Sequence, residues 1–137
     1  MIFVDTNVLS ESLRKSPNSA VIAWLVRHDS DVSLSTVVIG EIAYGIQKIH
    51  PDQRAVRLQS GLDEWRHRYA DRIFGFTEAS AVAYGEIMGT ASRKGRPMTA
   101  PDGMIAAMAR VHGGQLATRN IKDFETTGLD LISPWDF

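Results

Sequence analysis

Four acidic residues sit where short apolar runs give way to helical spacing: Asp5 in "MIFVDTNVLSE", Glu41 in "LSTVVIGEIAYGI", Asp102 in "TAPDGMIAA" and Asp123 in "TRNIKDF". They are separated by 36, 61 and 21 positions, so only a fold can gather them. Once gathered they could not all stay ionised unaided, because two like charges 4 Å apart repel by about 4 kcal/mol at an effective dielectric near 20. A hard divalent cation relieves that repulsion. Mg2+ or Mn2+ prefers carboxylate and water oxygens, whereas zinc favours thiolates and imidazoles. The chain has no cysteine, and His28, His50, His67 and His112 fall in separate segments without a ligand spacing. A cation held by the acids would acidify a bound water and offset the charge that builds on an attacked phosphate.

Each acid also has a plain structural reading. Asp5 can be a strand-end turn residue that accepts nearby backbone N–H groups, with Thr6 and Asn7 holding the loop or orienting Asp5 and a water. Glu41 alone reads as a solvent-facing helical residue. Asp102 fits a capping box, with Thr99 as N-cap and Asp102 reaching back as the third helical residue. Asp123 suits the first turn of a short helix capped by Asn120.

The elements that would position these groups follow from periodicity. An apolar run at 2–5 predicts a first strand, followed by a short helix through "NVLSESLR". In "SPNSAVIAWLVRH" Ser16 reads as an N-cap and Pro17 as the first helical residue. "DVSLS" at 31–35 predicts a second strand, and Val38, Ile42, Ile46 and Ile49 recur at helical intervals after it. Leu58, Leu62, Trp65 and Tyr69 predict an amphipathic helix with charged intervening positions. "RIFGF" at 72–76 predicts a brief strand, "TEASAVAYGEIMGTASRKG" a helix ending at Gly95, and "TAPDGMIAAMARVHGG" another stopped by Gly113 and Gly114. "QLATRN" reads as strand and loop, "IKDFE" as a turn or short helix, and "LDLI" at 129–132 as the last strand. Strands alternating with helices imply an open, mainly parallel sheet with helices on both faces, an α/β class fold. In such sheets ligands bind beyond the carboxyl ends of the strands, where Asp5, Ser35, Thr36, Thr118, Arg119 and Asn120 all fall.

Size and composition set the outer limits. The 137 residues are read as one domain over 1–137, large enough to need neither metal nor disulfide for stability. Fifteen Lys and Arg against sixteen Asp and Glu give a formal charge of -1, so the molecule as a whole is no polycation seeking nucleic acid. Neutralised acids would still leave local basic groups free to meet phosphate. The longest apolar run, "AVIAWLV" at 20–26, falls well below the ~20 residues of a membrane helix, and the start lacks a basic leader region; the expectation is a cytoplasmic chain that engages no membrane.

The blocks "MIFVDTNVLSE", "LSTVVIGEIAYGI" and "RPMTAPDGMIAAMARVHGGQLATRNIKDFETTGLDLISPW", in that order, resemble the PIN-domain ribonucleases of the VapC/FitB-like toxin class in type II toxin–antitoxin systems. Residues 51–75 contribute little to the likeness. The resemblance implies a three-layer α/β/α fold around a five-stranded parallel sheet. It implies Asp5, Glu41, Asp102 and Asp123 as the catalytic, metal-binding acids for Mg2+ or Mn2+. Asn120 stands where many relatives carry another acid. The implied activity is metal-dependent endoribonuclease cleavage by an activated water, leaving a 5'-phosphate and a 3'-hydroxyl.

Thr6, Asn7, Thr118 and Asn120 are the expected supporting residues. Arg93, Lys94, Arg96 and Arg119 are the candidate RNA contacts, with solvated helix-end roles open for the "RKGR" run at 93–96. The resemblance further implies a small cognate antitoxin that blocks the acidic site, a toxin homodimer, a toxin–antitoxin hetero-oligomer, and operator DNA contacted through the antitoxin. Trp24, Trp65 and the methionines at 98, 104 and 108 read as packing residues.

Three rival readings remain at this point. A haloacid-dehalogenase-like phosphatase would need an acid two positions after Asp5, where this chain has Asn7. A response-regulator-like receiver would need a phosphoacceptor Asp after a central strand, and "LSTVV" supplies none. A non-catalytic α/β interaction module requires only that the four acids diverge.

Overall fold

The computed structural model describes residues 1–137. Five short strands form one parallel sheet: β1 (Ile2–Val4), β2 (Val32–Ser35), β3 (Ile73–Phe74), β4 (Gln115–Ala117) and β5 (Leu131–Ile132), in the order β3-β2-β1-β4-β5. Six α-helices connect them: α1 (Thr6–Ser12), α2 (Ser19–Arg27), α3 (Thr36–Ile49), α4 (Gln53–Arg68), α5 (Glu78–Arg93) and α6 (Ala100–Val111). The sheet is parallel throughout rather than mainly so.

Parallel connections in one sheet are right-handed. The chain moves outward from β1 through β2 to β3 and must carry α1 to α4 over one face. It then returns from β3 to β4 in the opposite direction, so α5 and α6 cover the other face. The result is the expected three-layer α/β/α arrangement. Both faces being covered, β1 and β2 bury every residue instead of alternating inside and outside. Phe3, Leu34, Ile105, Met108 and Leu116 lie wholly within the core cluster. Between β1 and β4 the direction of travel reverses, which opens a crevice at their carboxyl ends.

Local chemistry sets the starts of the helices that flank this crevice. The Asp5 carboxylate accepts the Thr6 N–H at 2.8 Å and caps α1. Ser35 Oγ accepts the Val38 N–H at 3.1 Å and caps α3, placing Glu41 near its N-terminal end. Thr99 caps α6 by accepting the Asp102 N–H at 3.4 Å, with Pro101 within the first turn. Only half of the expected capping box forms, since the Asp102 side chain does not reach back to the Thr99 N–H.

The start of α2 differs from expectation. Ser16 and Pro17 lie outside the helix, and Asn18 is the N-cap, its Oδ1 accepting the N–H groups of Ala20 at 2.9 Å and Val21 at 3.3 Å. β3 and β5 each contain two residues, shorter than the predicted runs, and residues Ile121–Thr127 form a 3-10 helix. Asn120 precedes it but makes no side-chain cap bond.

Helices α5 and α6 cross closely because Gly103 has no side chain. A Cβ there would lie 2.4 Å from Met88 Sδ and 3.0 Å from Tyr84 Cε2. This crossing seats the residue next to Asp102. Gly103→Ala should be nearly neutral in urea unfolding, because Met88 can swing aside and alanine favours a helix by about 1 kcal/mol. Gly103→Val should cost about 1–3 kcal/mol, since its branched side chain also meets the Tyr84 ring. Equal stability of the two variants would show that the crossing is not close-packed.

Candidate acidic catalytic site

The crevice between β1 and β4 is bridged by side chains. Asp5 is 4% exposed at the end of β1. Thr118, buried at the end of β4, donates its hydroxyl to Asp5 Oδ2 at 2.8 Å, and Asn7 Nδ2 donates to the same oxygen at 3.2 Å. With Oδ1 taking the Thr6 N–H, the carboxylate is fixed from three sides. The Thr6 hydroxyl donates to Glu41 Oε1, linking α1 to α3 across the rim. Asn120 donates its backbone N–H to Thr118 Oγ1 at 3.1 Å, so it supports the loop through its main chain.

Electrostatics tie the acids into one centre. Burial pushes the Asp5 carboxyl above the usual range even though Thr118 and Thr6 donate to it, and the charges of Glu41 and Asp123 push the same way. Burial also raises Asp102, to about 6, with the charge of Asp5 next in weight and those of Asp123 and Glu41 adding to it. The charges of Glu41 and Asp123 thus reach both Asp5, which is buried, and Asp102, which is half-buried, while Asp123 itself lies exposed at the rim. None is neutralised by protein: the seven ion pairs of the molecule involve other acids.

Asp102 and Asp123 face one cleft of about 330 Å3, whose wall also includes Thr99, Arg96 and Lys122. A larger, mostly apolar cavity of about 530 Å3 lies elsewhere, between α2 and α4, where Ile22, Leu25, Val26 and Trp65 line it. The titratable cluster, not the greater volume, marks the chemical site.

The donor set is suited to a hard cation: four carboxylates, with hydroxyls and amide groups around them and no sulfur or imidazole. No group of three or more acidic or imidazole side chains is arranged to hold a metal ion by itself; a hard cation bound here would rest on one or two carboxylates and complete its shell with water. Asp5 is the leading charge acting on Asp102, while the charges acting on Asp5 are those of Glu41 and Asp123.

Of the basic candidates, Arg96 enters the cleft wall, bound to Glu125 at 3.1 Å and to the Lys122 carbonyl at 2.6 Å. Arg93 instead donates to the Thr90 hydroxyl on its own helix, and Lys94 caps the end of α5; neither lines that cleft. Arg119 lies with its guanidinium 5.2 Å from the centroid of Trp135. Trp24 and Trp65 are core residues, as expected, and His28 and His112 pack against aromatic rings.

Two acids escaped the reading of the sequence. Glu11 is buried, and the Asn18 N–H, at 2.9 Å, is the leading cause that holds its carboxyl below the usual range, with Arg14 assisting at 3.3 Å. Its position three residues after the buried Val8 was the available clue, because that spacing shares a helix face. Asp29 binds Arg68 and the Tyr69 hydroxyl, each at 2.7 Å, and the Arg72 side chain donates to its carbonyl. It fastens the turn before β2 to the end of α4.

Comparison with known proteins agrees with this geometry. Residues 2–128 match the family model for the PIN domain. The chain is 34% identical over 138 residues to VapC ribonuclease Y4jK of Sinorhizobium fredii, covering 99% of each. It is 36% identical over 140 residues to Toxin FitB of Neisseria gonorrhoeae, covering 98% of this chain and 99% of that protein. The crystal structure of FitAcB from Neisseria gonorrhoeae superposes with a TM-score of 0.88 at 35% identity and complete coverage of both chains. VapBC2 from Rickettsia felis, solved with a DNA fragment from its promoter, superposes with a TM-score of 0.83 at 27% identity, over 97% of this chain and 98% of that one. The acidic crevice at the β1–β4 switch point, the sheet order that creates it and these full-length matches converge: the chain belongs to the PIN-domain family, among the VapC/FitB toxins.

Proposed function

We propose that this chain is a metal-dependent endoribonuclease toxin restrained by a cognate antitoxin. The observation that carries the reading is the set of four mutually repelling carboxylates with no protein cation among them. Asp5 and Asp102 would hold a divalent cation, Mg2+ or Mn2+, with Glu41 and Asp123 in its outer coordination or orienting water. When bound, the cation supplies an acidified water and offsets negative charge on the attacked phosphate.

The residues of the chain supply position and proton handling. Thr118, Thr6 and Asn7 fix both oxygens of Asp5, so the carboxylate needs no reorganisation when substrate arrives. Glu41, held by Thr6, and Asp123, exposed on the opposite rim, are placed to orient the attacking water and accept its proton. The water oxygen would bond to phosphorus while the bond to the 3'-oxygen breaks and that oxygen takes a proton from solvent, leaving a 5'-phosphate and a 3'-hydroxyl. Arg96 and Arg119 flank the acids and would meet backbone phosphates, whereas Arg93 and Lys94 have a weaker claim.

The names VapC ribonuclease and Toxin FitB support this assignment by relationship. The VapBC2 structure with promoter DNA supports an antitoxin partner and a complex that engages operator DNA; the antitoxin would contact that DNA, and the toxin would pair with a second copy of itself within the assembly. The apolar groove at Ile22, Leu25 and Val26 offers that antitoxin a surface outside the acid centre. No helix is long and apolar enough to cross a membrane.

Purified wild-type chain should cleave cellular RNA with Mg2+ or Mn2+ and lose that activity in chelator. Asp5→Asn or Asp102→Asn should lower the rate about 10^2- to 10^4-fold while folding and RNA binding persist. Full metal-dependent cleavage by the folded double variant would overturn the mechanism.

Stability gives a second test. Because Asp102 has a raised carboxyl in the fold, its contribution is present below pH ~4 and is lost as pH rises through about 6. In chelator, Asp102→Asn should therefore match the wild type near pH 4 and exceed it near pH 7. The gain should be about 1–1.5 kcal/mol, roughly half the unscreened figure because the group is only half-buried. Mg2+ should stabilise the wild type and not the variant. A wild-type-to-variant difference independent of pH would show that Asp102 does not sit in a field of like charge.

A further inference from the structure

Beside the acid centre, on the Asn7 side, lies a cavity of about 300 Å3 lined by Asn7, Ser10, Glu11, Arg14, Arg119 and Trp135. Asn7 joins it to the acid centre, while Ser10, Glu11, Arg14 and Trp135 have no part in the hydrolytic chemistry. Its floor is fixed by Glu11, a carboxylate only 5% exposed, which accepts the Asn18 N–H at 2.9 Å and holds Arg14 Nη1 at 3.3 Å from both of its oxygens. Arg119 has no acidic partner within 4 Å, and its guanidinium is supported by the Trp135 ring. Two guanidinium groups against one carboxylate leave the cavity with one uncompensated positive charge.

This cation is also in register with the acids. The backbone N–H of Arg119 donates to Asn7 Oδ1 at 3.3 Å, which anchors the residue that carries the cation, and Asn7 Nδ2 donates to Asp5 Oδ2 at 3.2 Å. Arg119 itself follows Thr118, which donates to that same oxygen. A planar guanidinium held by an aromatic face and freed from carboxylates matches the paired oxygens of a phosphodiester. On the other side of the acids, Arg96 is engaged with Glu125, so the two flanks are not equivalent.

We propose that this cavity is a phosphate subsite that takes a backbone phosphate of the RNA strand beside the one cleaved. Arg119 is the binding group, and Arg14, set by Glu11, completes the positive wall. The assignment rests on the ribonuclease reading and adds to it the place where the strand is gripped.

The test uses the full-length chain in chelator, so that binding is read without cleavage, and titrates a fluorescent mixed-sequence single-stranded RNA between 50 and 200 mM salt. Arg119→Gln strands no carboxylate and is the first variant; Arg119→Lys keeps the charge. Arg57→Gln removes the same charge from an exposed site on α4. Loss of one phosphate contact should make the slope of log affinity against log salt shallower by about 0.7, so the wild-type advantage shrinks by about 2.5-fold across this range. Arg119→Gln should show that change alike for different RNA sequences, Arg119→Lys should recover most of the slope, and Arg57→Gln should leave it unaltered. Equal behaviour of the two glutamine variants, or a wild type without salt-dependent RNA binding, overturns the subsite. So does an Arg119→Gln variant that binds RNA normally and loses only antitoxin. Metal-dependent cleavage is scored separately: its absence with the predicted slopes defeats the nuclease reading alone, and its presence with unchanged slopes defeats the subsite alone.

Discussion

Repulsion between carboxylates is the constraint that the proposed centre sets on this fold: the charges of Glu41 and Asp123 act on Asp5, and those of Asp5, Asp123 and Glu41 act on Asp102. Left to themselves Asp5, Glu41, Asp102 and Asp123 would separate, since each near approach costs several kcal/mol in a partly buried setting. The fold opposes that tendency with a core it would need in any case. β1 and β4 are locked side by side through Ile2–Gln115, Phe3–Leu116 and Val4–Ala117 pairing, and the next residues along are Asp5 and Thr118. The apolar strands hold Asp5 beside Thr118, and the starts of α3 and α6 bring Glu41 and Asp102 toward that strand end.

The same constraint explains why capping and catalysis are not alternatives here. Asp5 caps α1 through Oδ1 and faces Thr118 and Asn7 through Oδ2. Those donors stabilise its charge, yet burial and the other carboxylates outweigh them and its carboxyl still rises. In Asp102 the backbone N–H serves the Thr99 cap, and the Thr99 side chain, which lowers the carboxyl, is outweighed by burial and the charge of Asp5. In both residues the helix start fixes the backbone, and the helix start is therefore the device that aims the acid.

How far the sequence disclosed this depends on the range of the interaction involved. Strand-to-helix junctions at Asp5 and Ser35 were readable because an apolar run, a capping side chain and a helical repeat follow one another within a few residues. The convergence of the acids was readable only as an expectation, because it needs strand order, which no local pattern contains. Ser16 and Pro17 imitated a helix start, but Asn18 has a partner those residues lack: its N–H is taken by Glu11, seven positions earlier, while its side chain caps α2. Glu11 drew no reading from the sequence, because only packing closes over its face of α1. The short helix at 121–127 and the strands β3 and β5 were legible as elements but not in their bounds, since their hydrogen-bond patterns are too short to impose a period on side chains.

Charge placement then gives the proposed ribonuclease a built-in order of events. A formal charge of -1 draws no polyanion to the molecule as a whole. Near the centre, the negative field of four unpaired acids opposes the approach of phosphate, while Arg119, Arg14 and the Arg96–Lys122 wall attract it from either side. Filling the acid centre with a divalent cation removes the opposing field without touching the arginines, so the strand would be gripped most firmly when the charge needed for hydrolysis is already in place. Binding and chemistry are coupled in this way through one electrostatic balance, and no moving part is required.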